Sequence, residues 1–118
     1  MSTFTVSVDV GDPTAQRFEP LDALVDTGSS HTSLPGRILR NLGVSPHELG
    51  RFRLATGDIV EREIGRTWMR LDGRLEMVIV VFGNDNAPPL LGAITLEQFG
   101  LGVDPVSRTV SRVPWLLA

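Results

Sequence analysis

An apolar run empties into an acidic turn at Ala23-Leu24-Val25-Asp26-Thr27-Gly28-Ser29-Ser30, and this constrains the chain more than any other stretch. A strand of this kind buries its side chains, so Asp26 leaves it at the edge of a core. Carboxylates in such places tend to have perturbed protonation, which makes them candidates for catalysis. Taken alone, Asp26-Thr27-Gly28 also reads as an Asx-type turn after a strand.

The surrounding pattern is that of short strands. Phe4, Val6, Val8 and Val10 alternate with Thr5, Ser7 and Asp9, so Thr3 to Val10 has the period of a half-buried strand. Gly11-Asp12-Pro13 reads as a turn, and Phe18 to Val25 as the strand that delivers Asp26. Thr32 to Leu34 suits a short strand. Pro35 to Leu42 suits a short helix ended by Gly43, with Ser33 as its cap. Arg51 to Ala55 and Ile59 to Arg70 read as strands joined at Thr56-Gly57-Asp58. Leu71-Asp72-Gly73-Arg74 is a hairpin turn, because Asp-Gly tolerates the positive φ that such turns need. Leu75 to Phe82 is next, as a buried strand, then Gly83 to Pro89 as a loop, Thr95 to Phe99 as a short helix and Thr109 to Val113 as a last strand.

At 118 residues the chain makes one domain, 1–118, with a modest core. Its net charge of -3 and its lack of any Lys/Arg cluster leave no footprint for nucleic acid. It has no cysteine, which excludes disulfides, thiolate metal sites and cysteine nucleophiles. Met1-Ser2-Thr3 opens into a strand pattern without the basic start and apolar core of a signal peptide. The longest apolar run, Met77 to Phe82, is far too short to span a bilayer. A soluble, cytoplasmic protein without membrane partners is the expectation.

A second motif lies well downstream, at Pro89-Leu90-Leu91-Gly92-Ala93-Ile94-Thr95-Leu96-Glu97-Gln98-Phe99-Gly100-Leu101. Two apolar residues and a glycine precede a short helical pattern. With both motifs in this order and spacing, the sequence resembles the retropepsin-like aspartic proteases, the single-domain relatives of pepsin, from about Thr3 to Val113. The resemblance implies a mostly β, single-domain closed β-barrel with a flap hairpin and one short C-terminal helix. Only one Asp-Thr-Gly is present: Leu71-Asp72-Gly73 lacks the middle hydroxyl and Val103-Asp104-Pro105 lacks the glycine. A catalytic pair would then need two chains, so the resemblance implies a homodimer.

The chemistry that the resemblance implies is that of an aspartic endopeptidase in which Asp26 from each chain forms a dyad, with no metal, no cofactor and no covalent intermediate. Thr27 would bond across the two-fold axis, and Gly28 would let the backbone approach the aspartates and the substrate closely. Ser29 would donate to the outer oxygen of Asp26 and favour its ionised form, giving an acid-shifted activity profile. Ser29, Ser30, Leu91 and the flap tip Ala55-Thr56-Gly57-Asp58 would bind a peptide or protein substrate. Apolar pockets are expected from Leu34, Ile59, Val81 and Leu90. The chain departs from the retroviral pattern at Ser30 and Ala93, which stand where an acid and an arginine often pair. It has no tyrosine, so a flap tyrosine is absent.

The rival reading is a catalytically inactive dimerisation or peptide-binding module that takes extended chains as added strands. His31 and His47 are the only histidines and belong to no recognisable triad pattern, so Ser29 is no serine nucleophile. His31, in a Ser/Thr-rich stretch, reads as solvated. Trp68 and Trp115 read as core or interface residues. Glu61-Arg62-Glu63 reads as a solvated strand face. The apolar ending Arg112 to Ala118 is expected to pack in the core or a dimer interface, with Pro114 interrupting any ladder.

Overall fold

A computed structural model describes residues 4–118. Thr3, where the first strand and the family resemblance were expected to begin, lies outside them, as does the Met1-Ser2-Thr3 opening. The strands are β1 (Thr5–Gly11), β2 (Phe18–Val25), β3 (Thr32–Pro35), β4 (Glu48–Arg53), β5 (Ile59–Leu71), β6 (Arg74–Gly83), β7 (Leu90–Leu91), β8 (Leu101–Asp104) and β9 (Thr109–Arg112). Two six-residue helices interrupt them, α1 (Gly36–Asn41) and α2 (Ala93–Gln98).

The first seven strands form one sheet in the order β1-β2-β7-β3-β6-β5-β4, and a further β1–β5 pairing brings the sheet back on itself. Alternation dictates which side is buried. Val8 and Val10 of β1, Ala23 and Val25 of β2 and Val78 and Val80 of β6 face inward, with Leu34, Leu39, Met69, Leu91 and Phe99, each at most 5 % exposed. Burying such side chains is worth about 1.5–3 kcal/mol apiece. Among the described residues, no buried side-chain polar atom lacks a hydrogen-bond partner, and no helix is long and apolar enough to cross a membrane.

β4 runs from Glu48 to Arg53 and not from Arg51 to Ala55, Leu90–Leu91 adds a strand, and two further local details differ from expectation. Ser33 sits inside β3 and does not cap α1; the N-cap is Pro35, with no side-chain cap bond. The helix has no acid in its first turn. Instead Asp85, from the loop after β6, accepts the Arg37 N–H at 2.8 Å. A carboxylate there satisfies an orphan amide and faces the positive end of the helix. The second detail is β8, which pairs with β9 as a separate two-stranded sheet. The Leu71–Arg74 turn forms as expected, with Asp72 at φ 53° and Gly73 at φ 77°, the paired positive values of a tight hairpin.

Candidate active site

The end of β2 is held from both sides. Its parallel partner is β7, in the register Leu24↔Leu90 and Val25↔Leu91. The Asp26 N–H donates to the Leu91 carbonyl at 3.0 Å, and the Val25 N–H to the Phe4 carbonyl at 2.9 Å. The chain then turns. Gly28 N–H donates to Asp26 Oδ1 at 2.9 Å and Ser29 N–H to the Asp26 carbonyl at 3.2 Å. The turn is Asx-type, so the structural and chemical readings of Asp26 coexist. Asp26 is half-buried, Thr27 and Gly28 are exposed, and Oδ2 receives no donor among the described residues.

The loop is next anchored to α2. The carbonyls of Ser29 and Ser30 accept the N–H groups of Ala93 and Ile94, at 2.8 and 3.0 Å. These are first-turn amides with no partner inside the helix. Gly92 sits where the two segments cross, and a Cβ there would collide with the His31 carbonyl. Glycine is demanded by that close approach. Below the crossing, Thr32 Oγ1 accepts the Gly92 N–H at 3.1 Å and pairs with Thr95 Oγ1 at 2.5 Å, both threonines at most 2 % exposed. Sequence reading missed this buried hydroxyl pair. The signal was there in two threonines placed at otherwise apolar positions.

Ser29 does not do what was expected of it. Its hydroxyl donates to the His31 carbonyl at 3.0 Å, across the turn, and not to Asp26. The short span of the turn brings that carbonyl to it first. Leu91 is likewise corrected: its side chain is fully buried in the core, because β7 is an inner strand, and its carbonyl alone faces the Asp26 turn. Leu34 is fully buried for the same reason. His31 is only partly solvated. It is half-buried, its Nδ1 lies 2.8 Å from Ser30 Oγ, and its ring meets Phe52 of β4 edge-on with centroids 5.2 Å apart.

A cleft of about 320 Å³ lies between the Asp26 loop and the β4–β5 hairpin. It gathers Gly28, Ser29, Ser30 and Val81, all expected near substrate. It also gathers His31, Phe52 and Arg62, which were not, and Arg53, Leu54 and Val60 of the flap hairpin expected to fold over the substrate. The hairpin tip is tightly made. Leu54 N–H donates to the Asp58 carbonyl and Gly57 N–H to the Leu54 carbonyl, both at 2.8 Å, with Gly57 at φ 94°. Ala55, Thr56, Gly57 and Asp58 are exposed at that tip and lie outside the cleft lining. A second, larger cavity of about 440 Å³ runs from Thr27 along α2 and β8 to Trp115 and Leu116. It meets the Asp26 turn at Thr27 on the α2 side, whereas the smaller cleft meets it at Gly28, Ser29 and Ser30.

The described residues contain no cluster of three or more His, Asp or Glu arranged for a metal ion. Two carboxylates elsewhere have clear environments. Asp12 is held at about 2, below its ordinary 3.8, first by the Arg17 N–H and then by the Thr14 hydroxyl. Asp104 is also held low, first by the Ser107 hydroxyl and then by the Ser107 and Val106 amides. Both are loop-forming acids.

Comparison with known structures finds the same architecture in several proteases. The EIAV protease complexed with the inhibitor HBY-793 aligns with TM-score 0.59 and 20% identity, over 84% of this chain and 89% of that one. The retroviral protease-like domain of Ddi1 from Leishmania major aligns with TM-score 0.59 and 18% identity, over 95% and 89%. A retropepsin-like aspartic protease from Rickettsia conorii gives TM-score 0.55 and 20% identity, over 87% and 88%. At these identities the likeness is one of fold. No curated protein sequence matches. The aspartyl protease family matches residues 6–95, a span that runs from β1 through the Asp26 turn to the start of α2. With that match covering most of its length, the chain belongs to the aspartyl protease family and has a retropepsin-like fold.

Proposed function

We propose that the protein is an aspartic endopeptidase whose active unit is a homodimer, acting in the cytoplasm, with Asp26 of each copy forming the catalytic pair. The observation that carries this is the Asp26 turn itself. One carboxylate oxygen is fixed by Gly28, the other has no donor among the described residues, and Thr27 and Gly28 beside it are exposed. A second copy approaching this face would bring a second carboxylate to the same place.

Two such groups held close cannot both ionise cheaply, so they share one proton, as is long established for aspartic protease dyads. The ionised Asp26 takes a proton from water as the water attacks the scissile carbonyl. The protonated Asp26 polarises that carbonyl and donates to its oxygen. Collapse of the tetrahedral adduct then delivers a proton to the leaving amine. The dense loop anchoring to β7 and α2 supplies the fixed geometry that this exchange requires.

The test is cleavage of a mixed peptide library between about pH 3 and 7, with wild type beside Asp26→Asn, over protein concentrations that span dimerisation. Activity should rise faster than linearly with protein and fall by at least about 10³-fold in Asp26→Asn, since the variant removes the group that activates water. A folded dimer that cuts nothing would leave a peptide-binding module in its place.

A further inference from the structure

The cleft beside Asp26 is electrostatically one-sided. Arg53 ends β4, Arg62 projects from β5 and His31 closes the loop side, and no Asp or Glu lines the space. Arg62 shares the face of Val60, two residues before it, and Val60 lies opposite Phe52 in the β4–β5 ladder. The wall therefore combines apolar surface with cationic heads.

Neither arginine is satisfied by a carboxylate. Arg53 donates to the Gly57 carbonyl at 3.0 Å and Arg62 to the Glu61 carbonyl at 3.0 Å. The ion pairs among the described residues involve other cations: Arg40, His47, Arg70, Arg74 and Arg112. The neighbouring acids are engaged elsewhere or face away. Glu61 lies opposite Arg51 in the ladder, and Asp58 accepts the Thr56 hydroxyl at the hairpin tip. A guanidinium carries five donors in a planar fork that matches a carboxylate. Most of the donors of both arginines remain available at the cleft.

We propose that this cleft is a subsite for an acidic side chain of an extended peptide, with Arg62 as the principal anchor and Arg53 as its second cation. Phe52, Leu54, Val60 and Val81 would cover the methylene groups of a glutamate, which suits a peptide side chain better than a strongly hydrated phosphate chain. Resting on the dimeric reading above, the two-fold axis repeats the subsite, so acidic residues are favoured on both sides of the cut bond. This deepens the functional proposal by naming the substrate class.

The probe is a set of fluorescein-labelled peptide pools in which one position is fixed as Glu, Gln or Leu and the rest are randomised. Cleavage is read at about pH 6, above the ordinary range of Glu. The best Glu pool should exceed its Gln twin by about 10-fold in kcat/KM, carried by KM and shrinking as salt is raised. Arg62→Gln should bring that ratio to about one, and Arg62→Lys should retain part of it. A merely structural role for Arg62 would lower all pools together and leave the ratio intact.

The same pools are titrated by fluorescence anisotropy against Asp26→Asn, which gives a readout independent of cleavage. Cutting with no Glu-over-Gln difference at any position overturns the acidic subsite and leaves the endopeptidase standing. Arg62-dependent preference for Glu pools in binding, with no cutting by wild type, supports the subsite and removes the endopeptidase. Binding indifferent to Glu, Gln and Leu overturns the subsite whatever the cleavage shows.

Discussion

Ser29 shows how a single hydroxyl changes role with its geometry. It lies close to Asp26 in sequence, yet its proton goes to the His31 carbonyl at 3.0 Å and closes the turn. Ser29→Ala should therefore cost about 1 kcal/mol of stability, the net worth of one hydrogen bond. It should leave the acid limb of the pH–activity profile where wild type has it. Urea unfolding and a pH–rate profile check the two halves, and an upward move of the acid limb in the alanine variant would restore a direct Ser29–Asp26 bond. At this scale the sequence shows what depends on neighbours. Asp26 and Gly28 are legible because the turn is made within a few residues. His31, Thr32 and Thr95 are not, because their roles come from Phe52, Gly92 and each other, far along the chain. Leu91 misleads for a related reason. Its motif position is next to the site, but only topology decides that its side chain points into the core.

Elements were legible where periodicity or turn chemistry is strong. The alternation in β1 and the Asp72-Gly73 turn between β5 and β6 are read directly from residues. β8 was missed because it is four residues long and carries Gly102, against which Val113 packs closely. The cap of α1 was misplaced because the carboxylate that serves it, Asp85, comes from a loop beyond β6. The β1–β2 connection was read only as a turn, yet it is organised by Asp12. Oδ1 accepts the Gln16 and Arg17 amides at 2.7 and 2.9 Å, and Oδ2 accepts the Thr14 hydroxyl at 2.7 Å. Its folded value of about 2 lies below the ordinary 3.8. The stabilisation is thus fully present above about 3.8 and lost as pH falls through about 2. Asp12→Asn should lower the urea midpoint at neutral pH, and the gap from wild type should close progressively across that window. A gap that is constant with pH would mean that the loop does not depend on the charge.

At the scale of the whole molecule, the sheet returns on itself through β1–β5, and the C-terminal segment is left as a poorly covered apolar surface. The segment is divided. Trp115 lies against its own domain: its Nε1 donates to the Glu97 carbonyl at 2.6 Å, its ring covers Gly100, and Arg74 stands 5.4 Å over it. Val113 N–H donates to the Gly100 carbonyl at 2.8 Å. Val113 and Trp115 touch their own domain yet stay 45% and 58% exposed, and Leu116 and Leu117 are 96% and 97% exposed, so the segment does not pack in the core, and only a dimer interface remains of what was expected of it. Leu116 also lines the cavity that reaches Thr27, next to the carboxylate that a second copy is proposed to meet. If that copy covers the two leucines, the double variant Leu116→Ser, Leu117→Ser should raise the dimer Kd by at least about 10-fold, since burying one leucine is worth about 1.5–3 kcal/mol. It should hardly move the unfolding midpoint of the monomer, because neither side chain is buried in its own domain. Trp115→Ala should do the reverse first, weakening the fold before the association. Sedimentation velocity across a dilution series, set beside urea unfolding, separates the two effects. A serine pair that dimerises as tightly as wild type would place the two-fold contact away from this segment and leave the Asp26 turn to make it alone.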